Sequence, residues 1–194
     1  MKKFLCWVLT VLTAITLCLS VLATYHQKAD GGYSNATPIT ERSHQWILEH
    51  FGHCETLPQL LSEIDAFGCA NFTYELWNPI LIQEYDLDRF LFEWDYHGLC
   101  HDFAGFVKSV VVVWSEAKGR NDVKAFVYNV RTDWVSPGHS YNYVQEEGYT
   151  WYFCLTTNVT LTTEGKPSRG FAAVPNGDIQ ADLDRYGKFV TNID

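Results

Sequence analysis

The segment from Cys100 to Lys118 constrains this chain more than any other. Phe103, Val107, Val110, Val111 and Trp114 fall three or four residues apart and line one stripe, and Gly119 follows as a stop. A stripe so apolar has to be covered, which predicts a helix packed on a second layer. The Val-rich middle, taken alone, equally suits a buried strand.

The sequence downstream supplies that layer. Val123 to Val130, His139 to Val144, Thr150 to Thr156 and Arg169 to Val174 are short β-branched and aromatic runs separated by turn residues, and Glu146-Glu147-Gly148 reads as a hairpin turn. Upstream the texture is helical. Trp46, Ile47 and Phe51 share one face between Thr40 and Phe51, with Gly52 as the stop. Thr56 followed by Gln59 is a capping-box pattern, after which Leu57, Leu60, Leu61 and Ile64 recur at helical spacing until Gly68. Residues 69 to 84 read as loop with one short strand at Ile80-Leu81-Ile82, and Tyr85, Phe90, Leu91 and Trp94 suggest a helix closing at Gly98. Helices first and an antiparallel sheet afterwards predict one α+β domain over residues 39–194.

At the N-terminus, Lys2 and Lys3 precede a run from Phe4 to Ala23 without a charged residue. Such a run, about 20 residues long, is enough to span a bilayer as a helix, while its end at Val21-Leu22-Ala23 suits signal cleavage. Residues 1–23 are therefore expected to be a membrane anchor or a cleaved signal, and either leaves the domain extracytoplasmic, membrane-anchored or secreted. Leu17 before Cys18 argues against a lipoprotein, and Cys6 and Cys18 read as apolar fillers. Residues 24–38, with Gly31-Gly32, Ser34 and Pro38, read as a flexible tether. The net charge is −9 and no basic cluster interrupts it, which argues against a nucleic-acid partner.

Cys54, Cys69, Cys100 and Cys154 lie beyond the apolar run, in a compartment where disulfides persist. Four cysteines allow three full pairings, of which Cys100 with Cys154 and Cys54 with Cys69 is one. Metal sets can be drawn from His50, His53, Cys54 and Cys69 or from His97, Cys100 and His101, but neither repeats a known ligand spacing. No metal or cofactor is assigned. Asn35, Asn71 and Asn158 stand in N-x-T sequons, and the tryptophans read as packing.

Cys100 opens the apolar helix, where unpaired N–H groups and the positive end of the macrodipole favour a thiolate. His139, at the start of a downstream strand, is the candidate base. Gly98-Leu99-Cys100-His101-Asp102-Phe103-Ala104 resembles the G-x-C-x-D-F-A segment of transglutaminase-like proteins, and Gly138-His139-Ser140-Tyr141-Asn142-Tyr143-Val144 resembles their histidine strand. The likeness runs to Trp151-Tyr152-Phe153 and covers about residues 85 to 160.

That resemblance implies a papain-related fold, with the cysteine at a helix N-terminus against a sheet that presents histidine and an acid. Cys100 is then the nucleophile and His139 the base of a cysteine peptidase, amidase or transglutaminase. The resemblance implies a protein or peptide substrate, with the cell envelope as one setting for it. The family's aspartate falls on Leu155, and Asn158 lies at an odd strand offset from it, on the opposite face. A transglutaminase-like domain that has lost catalysis and serves as a binding or assembly module is the alternative. An unrelated disulfide-stapled surface domain is a third reading.

Overall fold

The computed structural model describes residues 39–75, 86–132 and 135–176. The expected leader, the tether and the Ile80-Leu81-Ile82 strand lie outside these residues. Among the described residues, no helix is long and apolar enough to cross a membrane.

Helix α1 spans Glu41–Phe51, and Thr40 caps it by accepting the Ser43 N–H, which leaves Ile47 and Phe51 on the buried face. Helix α2 spans Leu57–Asn71 and buries Leu57, Leu60, Leu61, Ile64 and Gly68. Thr56 accepts the Gln59 N–H, while the Gln59 side chain accepts from Glu55 N–H. The expected capping box is thus displaced by one residue on its return arm.

Strand β1, Thr73–Tyr74, pairs in parallel with β2, His97–Gly98. Between them α3 spans only Leu87–Phe92. It stops well before Gly98 because Asp95 and Tyr96 take left-handed backbone angles, φ 48° and 60°, and turn the chain into β2. Helix α4 spans Cys100–Ala117 and buries the expected stripe, so the strand alternative for the Val-rich segment does not hold.

A four-stranded antiparallel sheet follows in the order β3-β4-β5-β6, with β3 at Lys124–Thr132, β4 at Val135–Glu146, β5 at Tyr149–Phe153 and β6 at Phe171–Pro175. The β4–β5 hairpin turns through Glu147-Gly148, where Gly148 has φ 83°. One helix interrupts the expected run of strands. Leu155–Thr163 forms α5, so the strand expected to reach Thr156 ends at Phe153. Tertiary contacts override the β-branched composition here: Leu155, Asn158 and Val159 recur at helical spacing and are all buried.

The domain is therefore α+β, with α4 lying on β3 and β4 as expected. Asn142 of β4 stitches the two layers, its Nδ2 donating to the carbonyls of Ala104 at 2.8 Å and Phe126 at 3.2 Å. On the other side of α4 an aromatic cluster fills the helical layer. Phe72 sits at its centre, with ring centroids 4.9 Å from both Phe90 and Phe103 and 5.0 Å from Phe106.

Candidate active site at the N-terminus of α4

Cys100 is the first residue of α4, and Leu99, the N-cap, has no side chain able to cap it. Asp102 compensates: its Oδ2 accepts the Leu99 N–H at 2.8 Å, closing the first turn. Gly98 is required for that closure, since a Cβ there would lie 2.9 Å from the Asp102 Cβ and 3.0 Å from the Phe90 ring. The G-x-C-x-D spacing thus has a local cause: the glycine makes room for the aspartate that holds the cysteine's turn.

The Cys100 thiol does not have the lowered pKa expected from its helix position. Burial pushes it above its ordinary value, although the Ser140 N–H and hydroxyl and the His101 N–H act to favour the thiolate; Asp102 adds a further upward push. Desolvation of the thiol outweighs the helix terminus, although Cys100 as a whole is half-buried. Asp102 is itself fully buried and is pushed up to about 7 by desolvation, against the opposing Leu99 N–H.

Ser140 follows His139 on β4, so the strand that carries the candidate base also reaches the candidate nucleophile. The His139 imidazole is buried and is pushed down to about 4 by that burial. Its Nε2 lies 3.1 Å from the Sγ of Cys154. Cys154 is the residue before α5; its Sγ is also 3.1 Å from the Thr157 hydroxyl, and burial pushes its pKa up to about 11. Tyr74 of β1 completes the surroundings: burial pushes it up to about 12, and the two thiols Cys100 and Cys154 add to the push.

Leu155, where the acid was expected, is not part of this group. It begins α5 and packs against Gly68 of α2, whose Cβ position lies 2.7 Å from its Cδ1. Asn158 is committed elsewhere as well. Its Nδ2 donates to Asp65 Oδ1 at 2.6 Å and to the Gly170 carbonyl at 2.8 Å. The residue facing the imidazole is Cys154, one position before the expected acid. In the sequence Cys154 reads as half of a disulfide, and its adjacency to Leu155 is the signal that points here.

All four described cysteines are free thiols, which corrects the pairing of Cys100 with Cys154 and of Cys54 with Cys69. The two metal sets are not assembled as drawn. His50 Nδ1 is bonded to the Trp46 carbonyl, Cys69 to Asp65, and His97 Nδ1 lies 2.6 Å from Glu75.

Burial thus favours the neutral form of both thiols and of the imidazole. The raised Cys100 pKa and the His139 pKa of about 4 both oppose moving a proton from the thiol to the imidazole before substrate binds.

No protein-family model and no curated protein matches the chain. Among solved structures, a crystal structure described as a "putative cysteine protease" from Cytophaga hutchinsonii is similar, with 14% identity, 80% of this chain and 46% of that chain covered and a TM-score of 0.46. The chain spans about half the length of that protein.

Proposed function

We propose that the chain is an extracytoplasmic cysteine acyl-transfer enzyme of transglutaminase-like, papain-related type, acting on a protein or peptide. Cys100 is its nucleophile and His139 its general base. The observation that carries this reading is that Ser140, next to His139 on β4, supplies donors to the thiol that opens α4. As Cys100 Sγ bonds to the substrate carbonyl carbon, His139 takes the thiol proton and later returns it to the leaving group. Water or an amine then resolves the thioester. The N–H groups at the head of α4 are the donors for the carbonyl oxygen as it gains charge. Lys2, Lys3 and the apolar run Phe4 to Ala23 support export or membrane anchoring.

The test is acylation of Cys100 by an activated ester, followed in the native chain, in Cys100→Ser and in His139→Ala. Acylation that is absent in Cys100→Ser and collapses in His139→Ala supports the dyad. Acylation indifferent to His139 overturns it.

One observation favours the second reading, a domain retired from catalysis that binds or assembles. The imidazole faces a thiol with a pKa of about 11 where an acid would stabilise the imidazolium. Cys154→Asp separates the two readings. If the site is an enzyme short of its acid, the variant raises the His139 pKa and speeds Cys100 labelling; if neither changes, the pocket has lost more than that one group.

A further inference from the structure

The turn between α1 and α2 brings together three side chains that the acyl-transfer reading does not use. We propose that His53, Cys54 and Glu63 form a binding site for a zinc-like divalent transition-metal ion, with one nitrogen, one sulfur and one oxygen ligand. The Nε2 of His53 lies 3.0 Å from each Glu63 carboxylate oxygen and 4.0 Å from the Sγ of Cys54. All three ligand atoms fall within 4.8 Å of one another. Zinc bond lengths at a tetrahedral angle set the nitrogen–oxygen and nitrogen–sulfur separations near about 3.4 and 3.6 Å. The present separations of 3.0 and 4.0 Å bracket these values.

The backbone around these ligands is already fixed, so binding orders little else. Gly52 closes α1 on the Leu48 carbonyl at 2.9 Å, and the Cys54 N–H reaches the Phe51 carbonyl at 3.1 Å. The Trp114 Nε1 of α4 donates to the Cys54 carbonyl at 2.8 Å. Thr56 caps α2, on which Glu63 stands two turns from the start. Beside the site Glu55 is paired with Lys118 of α4 at 2.8 Å.

The donor set also selects the ion. Calcium and magnesium demand oxygen ligands, whereas thiolate with imidazole suits zinc and its cobalt substitute. On binding, Cys54 releases its thiol proton to solvent and neutral His53 offers the Nε2 lone pair, so the dication, thiolate and carboxylate sum to no net charge. The Cys54 side of the site is buried, while the His53 and Glu63 side chains are 57% and 38% exposed. Solvent therefore reaches the ion and supplies the fourth ligand.

Cobalt(II) titrated into the reduced full chain tests the site. The expected result is one equivalent bound with a thiolate-to-cobalt charge-transfer band, displaced by zinc, abolished in Cys54→Ser and retained in Cys100→Ser. A band that persists in Cys54→Ser, or no band at all, overturns the proposal. Because Cys54 is buried and its replacement can disturb the fold, His53→Ala and Glu63→Gln provide the independent arm. Each should lower cobalt affinity about tenfold or more, and unchanged affinity in both means that His53 and Glu63 form an ion pair only.

Discussion

The two ends of α4 are built on opposite principles. Toward its C-terminus, Phe106, Val107, Val110, Val111, Val113 and Trp114 are buried. The polar groups among them have partners: Ser109 and Ser115 hydroxyls each donate to a carbonyl of the helix at 2.9 Å, and Trp114 donates to Cys54. At the N-terminus, Asn142 Oδ1 and, beyond Cys154, Thr156 Oγ1 are buried without a hydrogen-bond partner among the described residues, and Asp102 Oδ1 meets His101 Nε2 only at 3.3 Å. Buried polar groups left so are costly and uncommon, and they gather where function opposes stability. One end holds the helix; the other leaves buried polar groups poorly matched.

The largest effect is expected at the packed end. Trp114→Ala removes a fully buried indole and its bond to Cys54, and should cost about 3–5 kcal/mol in urea unfolding. Trp114→Phe keeps most of the volume and isolates the hydrogen bond, for about 1–3 kcal/mol. A loss under about 1 kcal/mol in Trp114→Ala would break the contrast between the ends.

At the polar end two groups titrate with opposite sign. His139 is held at about 4 in the fold against 6.5 when free, so the unfolded chain binds its proton first. Its contribution is lost as pH falls through that window. Asp102 is held at about 7 against 3.8, so its contribution is full below 3.8 and lost as pH rises through 7. In the native protein the two slopes oppose each other. Asp102→Asn should leave the histidine slope alone, with stability falling by about 3 kcal/mol from pH 6.5 to 4. His139→Asn should do the reverse, gaining stability as pH falls from about 7 toward 4. Unfolding midpoints across this range read both, and equal slopes in the two variants would show that burial does not govern this site.

A smaller effect is expected where α5 meets α2. Gly68→Ala would place a methyl 2.7 Å from the Leu155 Cδ1, an overpacking worth about 1–3 kcal/mol. Leu155→Val in the same chain should recover part of that loss, measured as a double-mutant cycle. No coupling between the two positions would put Leu155 somewhere other than the core.

Sequence pattern made the packed end readable and left the polar end half hidden. The α4 stripe, the Thr56 cap and the Glu147-Gly148 turn each follow from a local rule that the fold obeys. The run Thr150 to Thr156 obeys the strand rule locally, yet a helix begins at Leu155, with Leu155 and Val159 buried and Asn158 bonded to Asp65 across the helical layer. Those contacts, far apart in sequence, make the end of the run a helix. Cys100 and His139 stand out in the sequence through a short motif, but the direction of their pKa values does not. The helix terminus that argues for a thiolate is written in the sequence, whereas the burial that outweighs it arises only when Tyr74, Ser140 and Cys154 close around the thiol.

The smallest effect discriminates most finely between the two ends. Thr156→Val keeps the shape of a buried side chain and deletes a hydroxyl that has no partner among the described residues. Removing an unsatisfied buried hydroxyl relieves its desolvation penalty, so stability should stay within about 1 kcal/mol of the native chain or rise. The partnered Ser109 sets the contrast: Ser109→Ala, at the packed end, should cost about 0.5–1.5 kcal/mol. If Thr156→Val is stable but slows Cys100 alkylation, the orphaned hydroxyl belongs to the pocket's chemistry. If it destabilises more than Ser109→Ala, the polar end is held together by bonds of its own, and the division of labour along α4 fails.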